Sequence, residues 1–177
     1  LPVLKVKEGF GRAPQLPVVG EPDEIEARLL DDAWGVQEKI DGRNIMIDVV
    51  AGKVAVGNKK GLTNLVSLTI LDAAAPLGDA QIDAEDVAGV CFAFDAVALG
   101  GENLRERPYV ERHEMLGQKI KRLGKSAGVR FVPLVTGRTA KEAFVAELRA
   151  GKVKAVDGFR RDPPDIGVSA LLKIHDR

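Results

Sequence analysis

Two short apolar stretches joined by only two residues constrain the fold of this chain more than any other feature of its sequence. In residues 44–50 and 53–57 apolar side chains recur at alternate positions, and Ala51-Gly52 lies between the two stretches. Alternation with a period of two is typical of a half-buried strand, and a two-residue link that contains glycine is typical of a tight hairpin. Residues 35–40 form a third such stretch, so the sequence predicts an antiparallel meander.

Helical spacing of apolar residues marks four other segments. The predicted helices are residues 23–31, 65–74, 107–123 and 140–150, with Thr139 as the N-cap of the last. The remaining predicted strands are residues 80–83, 90–99, 130–135, 155–159 and 170–174. Because the strands come in hairpins and the helices are inserted irregularly, this order predicts an α+β fold with mainly antiparallel sheets and not a doubly wound parallel sheet.

Length and the distribution of glycine and proline predict one domain. The chain has 177 residues, which is enough to bury a substantial core and too few for two full domains. Residues 1–21 are rich in glycine and proline, so we expect an irregular N-terminal arm before a folded domain over residues 22–177. A single domain of this size is also consistent with a monomer, which is the state we expect.

Composition predicts an intracellular, cytoplasmic protein without a membrane partner. No apolar stretch approaches the roughly 18–20 residues of a membrane span. The single cysteine, Cys91, cannot form an internal disulfide and lies in an apolar run, where we expect a buried structural thiol. The 26 Lys and Arg residues balance the 26 Asp and Glu residues, so any surface that binds nucleic acid must be a local patch.

The segment with the most chemical information is Gln37-Glu38-Lys39-Ile40-Asp41-Gly42-Arg43-Asn44. A lysine ends one predicted strand just before Asp-Gly and the next strand. A lysine amine is a nucleophile only when it is deprotonated, and neighbouring cations, a bound metal and partial desolvation all favour the neutral amine. A Lys-X-Asp-Gly turn is also common in ordinary loops, so the segment alone leaves both interpretations open.

The Lys-X-Asp-Gly-X-Arg pattern resembles the nucleophile motif of the covalent nucleotidyltransferases, which comprise ATP-dependent DNA ligases, RNA ligases and mRNA capping enzymes. Four later elements follow in the order of this superfamily, and the resemblance covers nearly all of the chain beyond Glu21. They are Gln81-Ile82-Asp83-Ala84-Glu85, Phe92-Ala93-Phe94-Asp95, Lys154-Ala155-Val156-Asp157-Gly158-Phe159 and Leu171-Leu172-Lys173-Ile174-His175. The run Gly100-Gly101-Glu102-Asn103-Leu104-Arg105 is similar to that of the DNA ligases and favours them over the other members.

The resemblance implies a fold, an activity and partners. The fold would be the ATP-grasp-like nucleotidyltransferase (adenylation) domain, with two mainly antiparallel sheets flanked by helices and an ATP groove between them. We expect no C-terminal oligonucleotide-binding barrel in this chain. The activity would be ATP-dependent ligation of nicked duplex DNA, as in DNA repair and replication, through a lysyl-AMP intermediate with Mg²⁺ or Mn²⁺.

The resemblance also implies catalytic roles. Lys39 would be the nucleophile that carries AMP, and Asp41 would orient the site. Arg43 would contact the ribose or the nucleic-acid end. Lys173 would lie beside the phosphates of ATP, so that it contributes both to catalysis and to nucleotide binding.

Five further residues receive binding roles from the resemblance. Glu38 would read the adenine amino group, Glu85 would accept a hydrogen bond from a ribose hydroxyl, and Phe94 would stack on the adenine. Asp157 would be the metal ligand, since a carboxylate oxygen suits Mg²⁺. Lys59 matches an arginine that ligases place near the nucleic-acid nick.

Some residues depart from the pattern of the DNA ligases. Asp157 stands where the family has a glutamate, Pro163-Pro164 interrupts an expected strand, and His175 replaces a second lysine. An RNA ligase, a capping guanylyltransferase that uses GTP and a non-catalytic homologue that binds a nucleotide or a nick are therefore alternatives. His113 has charged neighbours and no second His or Cys at ligand spacing, so we expect a surface residue and no zinc site.

Overall fold

The computed structural model describes residues 27–58, 62–124, 126, 128–150 and 171–173, the last three by their backbone. The described chain forms two compact units. The first unit contains residues 40–132, and the second contains residues 27–39, 133–150 and 171–173. The chain passes from one unit to the other between Lys39 and Ile40 and again between Val132 and Pro133.

Nine strands and three helices follow one another through the described residues, after a helical segment at residues 27–30. The strands are β1 (Trp34–Gln37), β2 (Arg43–Val50), β3 (Lys53–Gly57), β4 (Ala80–Val87), β5 (Val90–Leu99), β6 (Glu102–Asn103), β7 (Val129–Phe131), β8 (Leu134–Val135) and β9 (Leu171–Lys173). The helices are α1 (Leu68–Ala74), which continues as a 3-10 turn over Ala75–Leu77, α2 (Tyr109–Leu123) and α3 (Arg138–Arg149).

A six-stranded sheet forms the centre of the first unit. Its antiparallel strands follow the order β3-β2-β4-β5-β6, and β7 pairs in parallel with the first half of β5. The link between β2 and β3 has positive φ at both Ala51 (49°) and Gly52 (75°). Two positive φ values are the signature of a type I′ hairpin turn, so the predicted hairpin is confirmed. The predicted three-stranded meander is wrong, because its first strand, β1, pairs with β8 and β9 in a separate sheet.

One face of this sheet is apolar and packs against α1 and α2. Alternate residues of the central strands, such as Ile45, Ile47 and Ile82, are completely buried. They contact Ile70 of α1 and Leu116 of α2 in the same core cluster. The alternation that predicted strands thus directs every second side chain to the helices, and it leaves the residues between them on the opposite face.

A three-stranded sheet in the order β8-β1-β9, antiparallel throughout, forms the second unit together with α3. The completely buried Lys141 of α3 joins this helix to the segment before β1. Its Nζ donates to the carbonyl oxygens of Arg28, Asp31 and Trp34, at 3.3, 2.6 and 2.9 Å. Three acceptors satisfy all the protons of the ammonium group, which offsets the cost of burying it.

The single strand predicted for residues 130–135 is wrong, because the segment contributes to both units. β7 ends at Phe131 in the large sheet, and β8 begins at Leu134 in the small sheet. Pro133 lies between them, and its lack of an N–H prevents a continuous ladder. The predicted strand at residues 155–159 lies outside the described residues.

Several predicted boundaries also shift. α1 begins three residues later than predicted because the Oγ of Ser67 accepts a hydrogen bond from the N–H of Ile70 and caps the helix. α2 begins at Tyr109, after Pro108. Thr139 is not an N-cap, since α3 already begins at Arg138. The predicted mainly antiparallel α+β arrangement is confirmed.

Candidate active site

The segment that carries Lys39 connects β1 with β2 without regular secondary structure. Lys39 and Asp41 are exposed, and Glu38 is half-buried. A Cβ atom on Gly42 would lie 2.7 Å from both the carbonyl oxygen of Asp86 and the Cγ2 of Val87. No side chain fits in that space, so the glycine of the Lys-X-Asp-Gly motif is required for the close approach of this segment to β4.

Arg43, the first residue of β2, is held by two hydrogen bonds at one nitrogen. Its Nη2 donates to the Oδ2 of Asp86 and to the carbonyl oxygen of Leu65, both at 2.7 Å. The other oxygen of Asp86 accepts from the N–H of Gly89 in the turn between β4 and β5. Half of the Arg43 side chain remains exposed, so a guanidinium that is fixed in place still faces solvent.

Three residues with predicted binding roles lie on neighbouring strands of the large sheet. Arg43 is on β2, Glu85 is on β4 directly opposite the residue that follows Arg43, and Phe94 is on β5. Phe94 is the extra residue of a β-bulge, because Asp83 pairs with Asp95 whereas Ala84 pairs with Ala93. The sheet therefore brings these three residues to neighbouring positions near one end.

The bulge has a fixed geometry. Its backbone is held by α2, since the hydroxyl of Tyr109 donates to the carbonyl oxygen of Phe94 at 2.8 Å. The Phe94 side chain is half-buried, between the fully buried Ala93 and the nearly buried Asp95. Bulges redirect a side chain and are frequent beside active sites, and here the redirected side chain is the one with the predicted stacking role.

A buried polar network next to the bulge was not assigned a role from the sequence. Arg112 of α2 donates from Nε and Nη2 to the two oxygens of Asp95, at 3.0 and 2.8 Å. Opposite Asp95, the carboxylate of Asp83 accepts from the Nδ2 of Asn44 at 2.8 Å. Burial raises the pKa of Asp83 to about 7, an effect that Asn44 reduces and Asp95 increases.

The sequence contained one signal for this network. Asp95 interrupts an otherwise apolar strand, and buried carboxylates need partners. Asn44 adds a second observation, because its Oδ1 is buried and makes no hydrogen bond within the described part of the chain. An unsatisfied buried acceptor beside predicted binding residues is a candidate contact for a ligand donor.

Lys39 and Lys173 both belong to the second unit. β9 is antiparallel to β1, and its register sets the backbone of Lys173 opposite Trp34, five residues before Lys39. The predicted clustering of the two lysine side chains stays a prediction. Asp157 and Lys59 lie outside the described residues, so the metal ligand and the nick contact also stay predictions.

Metal and membrane features were searched in the described ranges. There, no three His, Cys, Asp or Glu side chains converge as a metal site would require. No helix in these ranges has the length and apolar character to cross a membrane. Cys91 is completely buried, and burial raises the pKa of its thiol to about 12, which confirms the predicted structural thiol.

His113 is not a surface residue, contrary to the prediction. Its side chain is 4% exposed, its Nε2 lies 2.8 Å from the carbonyl oxygen of Val132, and its ring centroid is 4.4 Å from that of Phe131. Burial lowers its pKa from the ordinary value, and the bond to Val132 opposes that effect. The charged neighbours in sequence were misleading because one of them, Arg112, is itself buried, and only the glutamates that flank the two residues are exposed.

Comparison of the sequence finds no matching protein-family model and no matching curated protein. Comparison of the structure finds DNA ligases. The mycobacterial DNA ligase D complexed with ATP and MES has a TM-score of 0.51 and 20% identity, and the match covers 67% of this chain and 45% of that one. A structure of the Lig E DNA ligases, described as binding DNA with a minimal scaffold, has a TM-score of 0.51 and 16% identity over 78% of this chain and 59% of its own.

A third structure, Pmar-Lig_Pre, has a TM-score of 0.56 and 14% identity, and the match covers 91% of this chain and 44% of that one. This chain thus spans between 44% and 59% of the length of the three structures. The likeness establishes the fold: the chain has the nucleotidyltransferase-domain fold of DNA ligases, as the sequence predicted.

Proposed function

We propose that this chain is the nucleotidyltransferase domain of an ATP-dependent DNA ligase, with Lys39 as the residue that becomes covalently adenylated. The proposal rests on one combined observation. The chain has a ligase-type fold, and Lys39 is exposed in a motif whose glycine and arginine each have a role in the structure. Gly42 permits a close backbone approach, and Arg43 is held in place by Asp86 and Leu65.

The proposed chemistry consists of three displacements at phosphorus. The neutral amine of Lys39 attacks the α-phosphorus of ATP, pyrophosphate leaves, and the amine loses a proton as the P–N bond forms. An oxygen of the 5′-phosphate at a nick then attacks the same phosphorus, the P–N bond breaks, and the lysine nitrogen takes up a proton and leaves as the amine. Finally, the adjacent 3′-hydroxyl loses its proton and attacks the 5′-phosphate, AMP leaves, and the strand is joined.

The binding roles follow the residue types and their neighbours. Phe94 offers an aromatic face for adenine, and the carboxylate of Glu85 suits a ribose hydroxyl. Arg43, half-exposed and fixed through Nη2, suits a ribose oxygen or a phosphate. Glu38 beside the nucleophile would accept from the adenine amino group. Asp41 would orient the site.

The charges needed at the phosphates come from residues that stay predictions. Lys173 would neutralise the phosphates of ATP from β9. Asp157 would hold Mg²⁺ or Mn²⁺, which would supply further charge neutralisation at the triphosphate. Lys59 would contact the nucleic acid near the nick.

The experiment that tests the proposal follows labelled AMP from ATP to a nick. Nicked duplex DNA with a 5′-phosphate is incubated with the protein, Mg²⁺ and ATP or GTP labelled on the α-phosphate. The proposal expects label from ATP on the protein first and on the DNA end afterwards. Stronger labelling from GTP would indicate a capping guanylyltransferase, and preferential transfer to nicked RNA would indicate an RNA ligase.

A non-catalytic homologue gives a distinct result, namely binding of ATP or of the nick without transfer of label.

For the proposed ligase we expect slow sealing that weakens steeply with salt, because phosphate contacts dominate non-specific affinity and the chain has zero net charge. A matched duplex without the 5′-phosphate is the control, since it lacks the acceptor for AMP.

A further inference from the structure

Three successive residues of β5 at the bulge are each held by a hydrogen bond from another element. The carbonyl oxygen of Ala93 accepts from the backbone N–H directly after β7, at 2.9 Å. The carbonyl oxygen of Phe94 accepts from the hydroxyl of Tyr109 at 2.8 Å. The carboxylate of Asp95 binds the guanidinium of Arg112. The extra residue of the bulge is therefore held at its own carbonyl and at both of its neighbours.

The carbonyl oxygen of Phe94 lies outside the ladders of the sheet. On the side of β5 that faces away from β4, β7 pairs with residues 91–93 and β6 pairs with residues 98 and 99. Phe94 falls in the interval that neither of these two strands reaches. A backbone carbonyl outside a ladder needs another donor where water is largely excluded, and the hydroxyl of Tyr109 is such a donor.

Tyr109 is itself fixed in position. It is the first residue of α2, and its exposed fraction is 8%. The guanidinium carbon of Arg112 lies 5.5 Å from the centroid of its ring, and the ring centroid of His113 lies 5.7 Å from that centroid. A cation over an aromatic face and a neighbouring ring both restrict the tyrosine ring. Its hydroxyl thus has a defined place from which it sets the position of the Phe94 carbonyl.

We propose that Tyr109 is a positioning residue for the nucleotide base, and that it acts by fixing the backbone of Phe94 at the bulge. The inference rests on the proposed function, in which the half-buried ring of Phe94 stacks on adenine. Stacking weakens when one ring tilts or moves away, because dispersion attraction depends on close contact of the two faces. The bond from α2 restricts the directions that the Phe94 side chain can take, so that its face is in place before the base binds.

The test removes only the hydroxyl, in Tyr109→Phe, which keeps an aromatic ring beside Arg112 and His113. The ligand is an ATP analogue with a methylene bridge between the α- and β-phosphates, which cannot transfer AMP. Loss of the hydrogen bond is expected to raise the Kd of this analogue about fivefold. In lysyl-AMP formation from ATP, the KM should rise by the same factor. The maximal rate should stay at the wild-type value, because the hydroxyl takes no part in the displacement at phosphorus.

A double-mutant cycle shows whether Tyr109 acts through Phe94. In a Phe94→Leu protein the aromatic face is absent, so the additional change Tyr109→Phe should leave the Kd of the analogue unchanged. An equal rise in Kd in both backgrounds would overturn the inference, because Tyr109 would then act independently of the Phe94 ring.

Ile70→Val is the matched control for lost stability. It deletes one methyl group from a completely buried side chain of α1, and such a deletion costs a loss of stability comparable to that of one hydrogen bond. This variant should bind the analogue like the wild type. If it raised the Kd as much as Tyr109→Phe does, lower stability would be the cause and the inference would be wrong.

The inference and the proposed function can fail separately. If the wild type binds the analogue and the cycle shows the coupling, but no lysyl-AMP forms from ATP, the proposed function fails and the inference stands. If lysyl-AMP forms and Tyr109→Phe has the Kd and KM of the wild type, the inference fails and the proposed function stands. A wild type that does not bind ATP would overturn both.

Discussion

Asp83 and Asp95 lie directly opposite each other on β4 and β5, and both are nearly excluded from solvent, with exposed fractions of 5% and 7%. Their partners differ. Arg112 binds both oxygens of Asp95, whereas the neutral amide of Asn44 binds Asp83. Burial makes ionisation of a carboxyl group unfavourable unless a cation lies beside it. Asp83 has no cationic partner among the described residues, and its pKa is raised.

This arrangement predicts a stability that depends on pH through Asp83. Its folded pKa, about 7, lies above the ordinary 3.8, so the folded state holds the proton more tightly than the unfolded state. The resulting stabilisation is fully present below pH 3.8 and is lost as the pH rises through about 7. The Asp83→Asn variant should not show this loss. The difference in free energy of unfolding between the variant and the wild type should therefore change by about 1–4 kcal/mol between pH 3.8 and about 7.

Urea unfolding of both proteins at several pH values measures this difference. Other carboxylates titrate in both proteins and cancel in the comparison. Parallel curves for the wild type and Asp83→Asn would show that the carboxyl of Asp83 is not buried as described.

The pair between Arg112 and Asp95 predicts a large effect on folding. Arg112 is 2% exposed, so its replacement leaves the charge of Asp95 buried without its cation. Arg112→Met should lower the free energy of unfolding by about 3–5 kcal/mol. Arg107→Met is the control, since its ion pairs with Glu102 and Glu111 are exposed and should add little. Equal, small losses in both variants would contradict a structural role for the buried pair.

The sequence predicted the hairpin of β2 and β3 because its signals are local, whereas the nucleotidyltransferase fold was predicted from the resemblance to the family. The alternation in residues 44–50 and the turn at Ala51-Gly52 are each determined by near neighbours, and both were confirmed. The strand at residues 130–135 was wrong because Pro133 interrupts it, and the apolar pattern does not reveal that its halves pair with different sheets. That choice depends on contacts far away in sequence.

The candidate site was predictable to the extent that it consists of motifs. Lys39, Arg43, Glu85 and Phe94 come from elements in family order, and the register of the large sheet gives the last three neighbouring positions. The pairing of Asp83 with Asn44 and of Asp95 with Arg112 joins residues 39 and 17 positions apart. The register of β2 and β4 brings Asn44 to Asp83, and the packing of α2 on the sheet brings Arg112 to Asp95, so no local pattern could indicate these pairs.

The glycine of the nucleophile motif gives a third prediction. Gly42→Ala should reduce the rate of lysyl-AMP formation at least about tenfold, because its Cβ would overlap the carbonyl oxygen of Asp86 and displace the segment that carries Lys39. Gly52→Ala is the control. It meets no atom within 4 Å but has a φ of +75°, so it costs about 1 kcal/mol of stability from strain at a turn. Comparable lysyl-AMP rates in the two variants would remove the steric explanation.

The central claim is that Lys39 is the nucleophile, and the mass of the intact protein tests it most directly. After incubation with ATP and Mg²⁺, the wild type should gain the mass of one AMP moiety. The Lys39→Ala protein should gain none, whereas Lys53→Ala, which removes another exposed lysine of the described chain, should gain it as the wild type does. A Lys39→Ala protein that still gains one AMP would contradict the account, as would a wild type that binds ATP and gains no mass.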